Sequence, residues 1–296
     1  MNAPAKFETE TVRDPAFVSP APSDLTITVR DRRFGRDTAP RRWWVNDDPV
    51  ATAWFNALSA TFPRGEAFFI ESVKACRNGA APQLRDEIRA FVRQEINHTR
   101  EHVAMNRMAS DSGYDIAAID RRVEDLLAQI KERPAAINLA ATMALEHFTA
   151  MLGHQLLADP VHLHGAEPEF GDLWRWHAAE EIEHKGVAYD TWLHHTRNWS
   201  RFRRWKVKSL MMLIVTTRFV KHRYQDMLDL LAQDGLTSAK WKWRALKYLF
   251  GNPGFFRKIA GGWAAYFLPG FHPWNEDDRE LIGLYESEFS GAVLAD

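Results

Sequence analysis

Cysteine is almost missing from this chain: Cys76 is the only one in 296 residues. That excludes an intrachain disulfide framework and any zinc site built on several thiolates, and it fits a reducing compartment. A charge excess is also missing. The 38 basic residues stand against 39 acidic ones, a formal net charge of −1, so nothing points to general nucleic-acid binding. No stretch approaches the ~20 apolar residues of a membrane-spanning helix. The opening MNAPAKFETETVRD lacks the apolar stretch of a secretory signal. A cytoplasmic protein is expected. Hydrophobic content of 46% and charged content of 26% suit a folded globular chain.

The sequence predicts an all-α protein in three stretches. Residues 1–45, rich in Pro, Asp, Arg and Thr, read as an extended or disordered arm, with LTITVR (25–30) as a candidate short strand. Residues 46–200 read as a four-helix bundle. Asp47–Asp48 is the predicted N-cap of its first helix, with Pro49 in the first turn and Pro63 breaking or kinking the helix. Asn78-Gly79 then closes the helix that carries GEAFFIESVKAC. Further helices are predicted over about 82–109, 115–131, 134–158 and 172–197. Residues 201–296 add C-terminal helices that mix aromatic and basic residues.

Inside the bundle region, carboxylates and histidines recur at helical spacing. Glu71 stands alone in FFIESV and Glu146 alone in ALEHF. Glu95 and His98 form a Glu-x-x-His in QEINH, and Glu181 and His184 a second one in EEIEH. Positions i and i+3 share a helix face, so each Glu-x-x-His aims two ligands at one point. A Glu from each of two helices plus a Glu-x-x-His from each of two others is the inward-facing set of di-iron and di-manganese bundles. Carboxylate and imidazole without thiolate suit iron or manganese, with zinc as an alternative. Four Glu charges balance two divalent cations, whereas four buried Glu without cations repel one another.

Two more histidines share these faces. His177 precedes Glu181 by four residues and completes a three-residue stripe, which makes it the favoured seventh ligand. His102 follows His98 by four and is read as a hydrogen-bonded neighbour. Glu180 and Glu183 are expected to face solvent, His147 and His154 to be structural, and Cys76 to be a small buried hydrophobe off the face of Glu71.

With FPRGEAFFIESV, FVRQEINHTREH, ALEHFTA, WHAAEEIEHKGVAYD and FHPW in hand, residues from about 45 to 285 resemble the bacterial predicted metal-dependent hydrolase family, which is grouped with the ferritin-like proteins. The order Glu71, Glu95/His98, Glu146, His177/Glu181/His184 is also similar to that of the p-aminobenzoate N-oxygenases. That resemblance implies a seven-ligand site holding two iron ions, with manganese or a mixed pair as the alternative. The C-terminal third has no counterpart there, so the aromatic amine substrate is not carried over.

The function expected is an O2-dependent di-iron oxidase or oxygenase acting on a small or hydrophobic substrate. A dimetal-dependent hydrolase and a non-catalytic metal-binding protein are the alternatives. The oxidase needs an external electron donor, because no flavin, haem or iron–sulfur motif is present. SLMMLIVTTRFV and the Trp, Phe, Lys and Arg after it are read first as helices that pack on the bundle or form a homodimer, with peripheral membrane contact through 205–270 at the inner membrane face as the alternative use.

Overall fold

The computed structural model describes residues 21–35 and 40–293, with side chains to residue 288. Residues 1–20, 36–39 and 294–296, and with them most of the expected arm, lie outside the described residues.

The fold is all-α. Its helices are α1 (Pro49–Ser59), α2 (Phe62–Cys76), α3 (Pro82–Asp111), α4 (Ala117–Lys131), α5 (Ala135–Ala158), α6 (Pro168–His184), α7 (Val187–His195), α8 (Arg201–Gln233), α9 (Ala239–Phe250), α10 (Phe255–Lys258), α11 (Ala260–Ala265) and α12 (Arg279–Val293). Among the described residues there is no strand. Residues 25–30 run extended without a strand partner, and the one β-bridge joins Val45 to Ala166.

Local chemistry sets several boundaries. The Asp48 carboxylate caps α1 by accepting from the Val50 amide at 2.8 Å, and Pro49 fills the first turn where no N–H is needed. Pro63 sits in the first turn of α2 and separates it from α1. The helix expected over 172–197 is two helices. A Cβ at Gly186 would lie 2.8 Å from the indole of Trp274, so glycine there lets the HPW turn press against the chain where α6 passes into α7.

The bundle is α2, α3, α5 and α6. Helix α2 packs on α3 and α5, α5 packs on α6, and α3 closes on α6. Helices α5 and α6 approach closely at Gly153, where a Cβ would stand 3.0 Å from the Ala178 carbonyl oxygen. Helix α8 lies across α1 and α5, while α12 covers α6. Contrary to the expectation that no segment qualifies, α5 is long and apolar enough to cross a membrane, but 72% of its apolar window is buried inside the protein. It is the central helix of the bundle, apolar on nearly every side because protein surrounds it.

Residues 21–35 are not a free tail. The Thr28 amide donates to Glu183 at 3.1 Å and the Arg30 amide to Glu180 at 2.9 Å. The Arg30 guanidinium grips Glu183, and the Phe34 amide donates to Glu101. This strap lies over α3 and α6, and it buries a face that the sequence alone assigns to water.

Candidate metal centre

On α2 the residues Phe62, Glu66, Phe69, Val73 and Cys76 follow a 4-3-4-3 spacing, which keeps them on one stripe. Phe69, Val73, Cys76 and Glu66 are all buried. Glu71 is five residues from Glu66, roughly 140° round the helix. Its side chain is 61% exposed and sits 3.5 Å from Lys131 of α4. The expected ligand Glu71 is therefore outside the cluster, and Glu66 occupies the α2 position. The thiol of Cys76, pushed up to about 11 by burial, behaves as the small hydrophobe expected.

The other six predicted residues come together. Glu95 and His98 enter from α3, Glu146 from α5, and His177, Glu181 and His184 from α6, all buried. Donor atoms of five of them, with Glu66 and His102, form overlapping groups: Glu66–Glu95–His98, Glu95–Glu181–His184, His98–His177–Glu181 and Glu66–His102–His177, and Glu146 meets His184 Nε2 at 3.4 Å. Glu95 and Glu181 each belong to two of these groups.

Outer hydrogen bonds fix how each imidazole presents itself. Gln94 donates its amide to Glu183 at 2.9 Å and to the Thr28 carbonyl, so its Oε1 accepts from His184 Nδ1 at 2.9 Å. His184 Nε2 then faces Glu95, Glu146 and Glu181 at 3.3, 3.4 and 3.5 Å. His98 Nε2 donates to Glu180 at 3.0 Å, leaving Nδ1 toward Glu181 and Glu95 at 3.7 and 3.9 Å. Ser59 donates to Asn106 and accepts from His102 Nδ1 at 2.9 Å. His102 Nε2 then accepts from His177 Nδ1 at 2.6 Å, and His177 Nε2 meets Glu181 Oε1 at 2.9 Å. His98 Nδ1 and His184 Nε2 thus point at carboxylate oxygens without a hydrogen bond, while His177 Nε2 already shares one with Glu181. Acceptors facing acceptors require a positive charge between them.

The cluster also leaves polar atoms without partners. Glu66 Oε1, both oxygens of Glu95 and of Glu146, Glu181 Oε2, His98 Nδ1 and His184 Nε2 are buried and accept no hydrogen bond. Such atoms are costly unless something bonds them. Protons partly fill the role in the metal-free cluster. Burial raises Glu66 and Glu95 well above the carboxylate range, and brings Glu146 to about 7. Burial opposes the charge of His184, but Glu181 and Glu146 outweigh it and hold the imidazole well above its usual pKa. Burial likewise pushes Glu181 up, and His184 and His177 outweigh it and hold it well below. Burial, reinforced by neighbouring His177, lowers both His98 and His102.

The rim differs from expectation. Glu180 and Glu183 are buried, because the strap covers them. Burial lifts Glu180 to about 7 despite Arg30. His102 is the hydrogen-bonded neighbour expected. His147 donates to the Gly262 carbonyl, and His154 pairs with Asp278, both away from the cluster. Sequence reasoning missed Glu66, Gln94, Ser59 and Arg30. The stripe of α2 carries a signal for Glu66, but the other three are visible only once the helices pack.

Residues 28–277 match the family described as predicted metal-dependent hydrolase. The chain belongs to this family. No curated protein and no solved structure matches it. In this member of the predicted metal-dependent hydrolase family the matched span begins at Thr28, whose amide reaches Glu183, and includes every residue of the cluster. Family and cluster together indicate a divalent metal site, and the donor set fits one: carboxylate and imidazole only, buried, with orphaned acceptors converging.

Proposed function

We propose that the cluster holds two divalent cations, in the manner of ferritin-like dimetal proteins, and that the protein oxidises an apolar substrate with O2. Glu66, Glu95 and His98 would form one side of the site and Glu146, Glu181 and His184 the other. His177 would be an additional nitrogen donor. A redox-active pair such as iron supplies activation of dioxygen when bound.

The observation that carries this reading is the apolar lining of the chamber beside the ligands. A narrow cavity of about 20 Å³ touches His177 and Glu181, and Trp54, Phe55, Leu58, Phe62, Leu152 and Trp174 form most of its wall. Aromatic rings also pack on the imidazoles: Phe62 lies 4.6 Å from His102 and from His177, and Trp176 meets His98 edge-on at 4.8 Å. Such a wall disfavours water and suits an apolar group beside the ligands. Thr99 donates to Glu66 at 2.7 Å and steadies the one carboxylate that α2 contributes. Electrons would come from an external donor protein.

Hydrolysis is the second reading, and the family description favours it. There, two redox-inert cations activate water against an ester or phosphate. The two readings separate cleanly. Protein loaded with iron, reduced anaerobically and given O2 should take up O2 and show a visible-absorption change. Zinc-loaded protein should then be inert toward simple esters. Ester cleavage by the zinc form, with no O2 uptake by the iron form, would overturn the oxidative reading in favour of the hydrolase.

A partner surface accompanies this proposal. Phe202, Trp205, Leu210 and Leu213 stand exposed along α8, among Arg201, Arg203, Arg204 and Lys206. That mixture suits a helix resting on an anionic bilayer. Co-sedimentation with anionic vesicles tests it, and failure to bind would leave self-association as the use of this face.

A further inference from the structure

A second pocket lies outside the metal cluster. It has a volume of about 510 Å³, and its wall includes Asp48, His162, Arg244, Lys247 and Tyr248. It is partly polar and carries two cations against one carboxylate. Arg244 pairs with Asp48 at 3.0 Å, while Lys247 makes no ion pair among the described residues. Buried polar atoms at its wall are also unsatisfied: the Tyr248 hydroxyl and His162 Nδ1 have no hydrogen-bond partner, although both residues are more than nine-tenths buried.

A thin partition separates this pocket from the apolar chamber at the metal cluster. Helix α1 gives Val50 and Ala51 to the outer pocket and Trp54 and Phe55 to the inner one, one turn or about 5.4 Å apart. Phe255 walls the inner chamber. Its ring stacks on outer-pocket His162 at 3.9 Å and lies 6.0 Å from that of Tyr248. Phe255 follows Gly254, which holds a left-handed φ of 74° and has no side chain to restrict the turn. The His162–Phe255 stack is one contact that joins the two walls.

We propose that the outer pocket binds the anionic head of an amphiphilic substrate, a carboxylate or phosphate on an alkyl chain, and that the chain passes the His162–Phe255 stack to reach Glu181 and His177. Lys247 and Arg244 receive the head, Tyr248 and His162 supply the remaining polar contacts, and the tail enters the aromatic chamber only as Phe255 swings off His162 and widens it beyond its present volume of about 20 Å³, which is room for about one water. This names the substrate class of the proposed oxidation and rests on that reading for its chemistry. The binding stands or falls by itself. At about 0.8 kcal/mol for each buried methylene, a chain spanning one helical turn supplies most of the affinity, and the head fixes which end points inward.

Calorimetric titration of the full-length protein with dodecanoate, dodecyl phosphate, dodecanol, butyrate and inorganic phosphate tests the proposal. Dodecanoate and dodecyl phosphate should each bind on the order of tenfold or more tighter than dodecanol or the short anions. Lys247→Glu should cost dodecanoate about tenfold and leave dodecanol unchanged. Leu156→Phe, which fills the inner chamber, should weaken the long-chain ligands and spare butyrate, with thermal melting confirming that both variants fold. Equal affinity for dodecanol and dodecanoate, or no response to Lys247→Glu, overturns the head site. Affinity independent of chain length overturns the passage to the cluster. The same head occurs on a bilayer lipid, so phosphatidylglycerol vesicles form a further arm. Competition between vesicles and dodecyl phosphate assigns the pocket to lipid-derived chains, and its absence assigns it to free amphiphiles. Binding to vesicles with none to soluble amphiphiles overturns the pocket. Tight dodecanoate binding without O2-dependent turnover would leave the pocket standing and remove the oxidase.

Discussion

Two kinds of buried charge coexist in this protein. On α8, Asp226 is buried between the guanidiniums of Arg122 and Arg223, and Arg223 also donates to the Ala57 carbonyl at 3.0 Å. Between α6 and α12, Lys185 meets Asp278, which also takes His154 at 3.2 Å. In both places the chain supplies opposite charges. At the bundle centre it does not. Glu66, Glu95, Glu146 and Glu181 converge with imidazoles and no guanidinium or ammonium, and Arg30 reaches Glu180, Glu183 and Glu286 on the outside. The first kind of cluster is complete on folding and holds helices in register. The second has no cation of its own beyond a proton on His184, which is a reason to assign it a bound cation rather than a structural role.

Removing a central carboxylate should have the largest effect. Glu95→Ala should lower bound metal from about two ions per chain to less than one, measured by elemental analysis after expression with added iron. Wild-type protein that reproducibly holds no metal would sink the assignment. Next comes the self-balanced cluster. Asp226→Ala leaves the Arg223 guanidinium buried without its carboxylate, while Arg122 keeps Asp229 at 2.7 Å, and should cost about 3–5 kcal/mol in urea unfolding, with metal content of the folded protein unchanged. If metal is lost as well, the two clusters are not independent.

Smaller effects sharpen the contrast. Glu180→Leu or Gln94→Leu frees an imidazole from the bond that orients it, and should weaken metal binding about 10–100-fold in a chelator competition. A pH effect should come from His162, away from the cluster. Burial, reinforced by Lys258, depresses its pKa to about 4. The unfolded chain binds the extra proton between about 6.5 and 4, so this contribution to stability is present above pH 6.5 and lost as pH falls toward 4. His162→Asn should flatten that part of the stability profile; an unchanged slope would show that His162 is not its source. The smallest effect belongs to Glu71→Ala, which should stay within ~0.5 kcal/mol of wild type and keep its metal. Loss of metal there would restore the ligand that the structure sets aside.

The Glu71 error shows how far local sequence carries. The spacing of Glu95 to His98 and of Glu181 to His184 is itself a statement about one helix face, so both pairs were legible. A lone Glu carries no such phase information. On α2 the phase comes from its neighbours: Phe69, Val73 and Cys76 mark the inward stripe, Glu66 is in step with them and Glu71 is not. Cys76, buried and off the face of Glu71, already contained the correction. Glu180 and Glu183 were read outward for a different reason. By helical phase they do flank the ligand stripe, and a strap from residues 21–35, about 150 positions away in the chain, covers them.

The sequence by itself determined most of the helices, the Asp48 cap of α1, the all-α class and the two Glu-x-x-His pairs. Each of these is written in contacts a few residues long. Only tertiary structure decided which α2 carboxylate faces inward, which atoms orient the imidazoles, and how Phe255 stands between the inner chamber and the outer pocket. Those outcomes depend on helix rotation and on contacts between segments distant along the chain, and no local spacing specifies either.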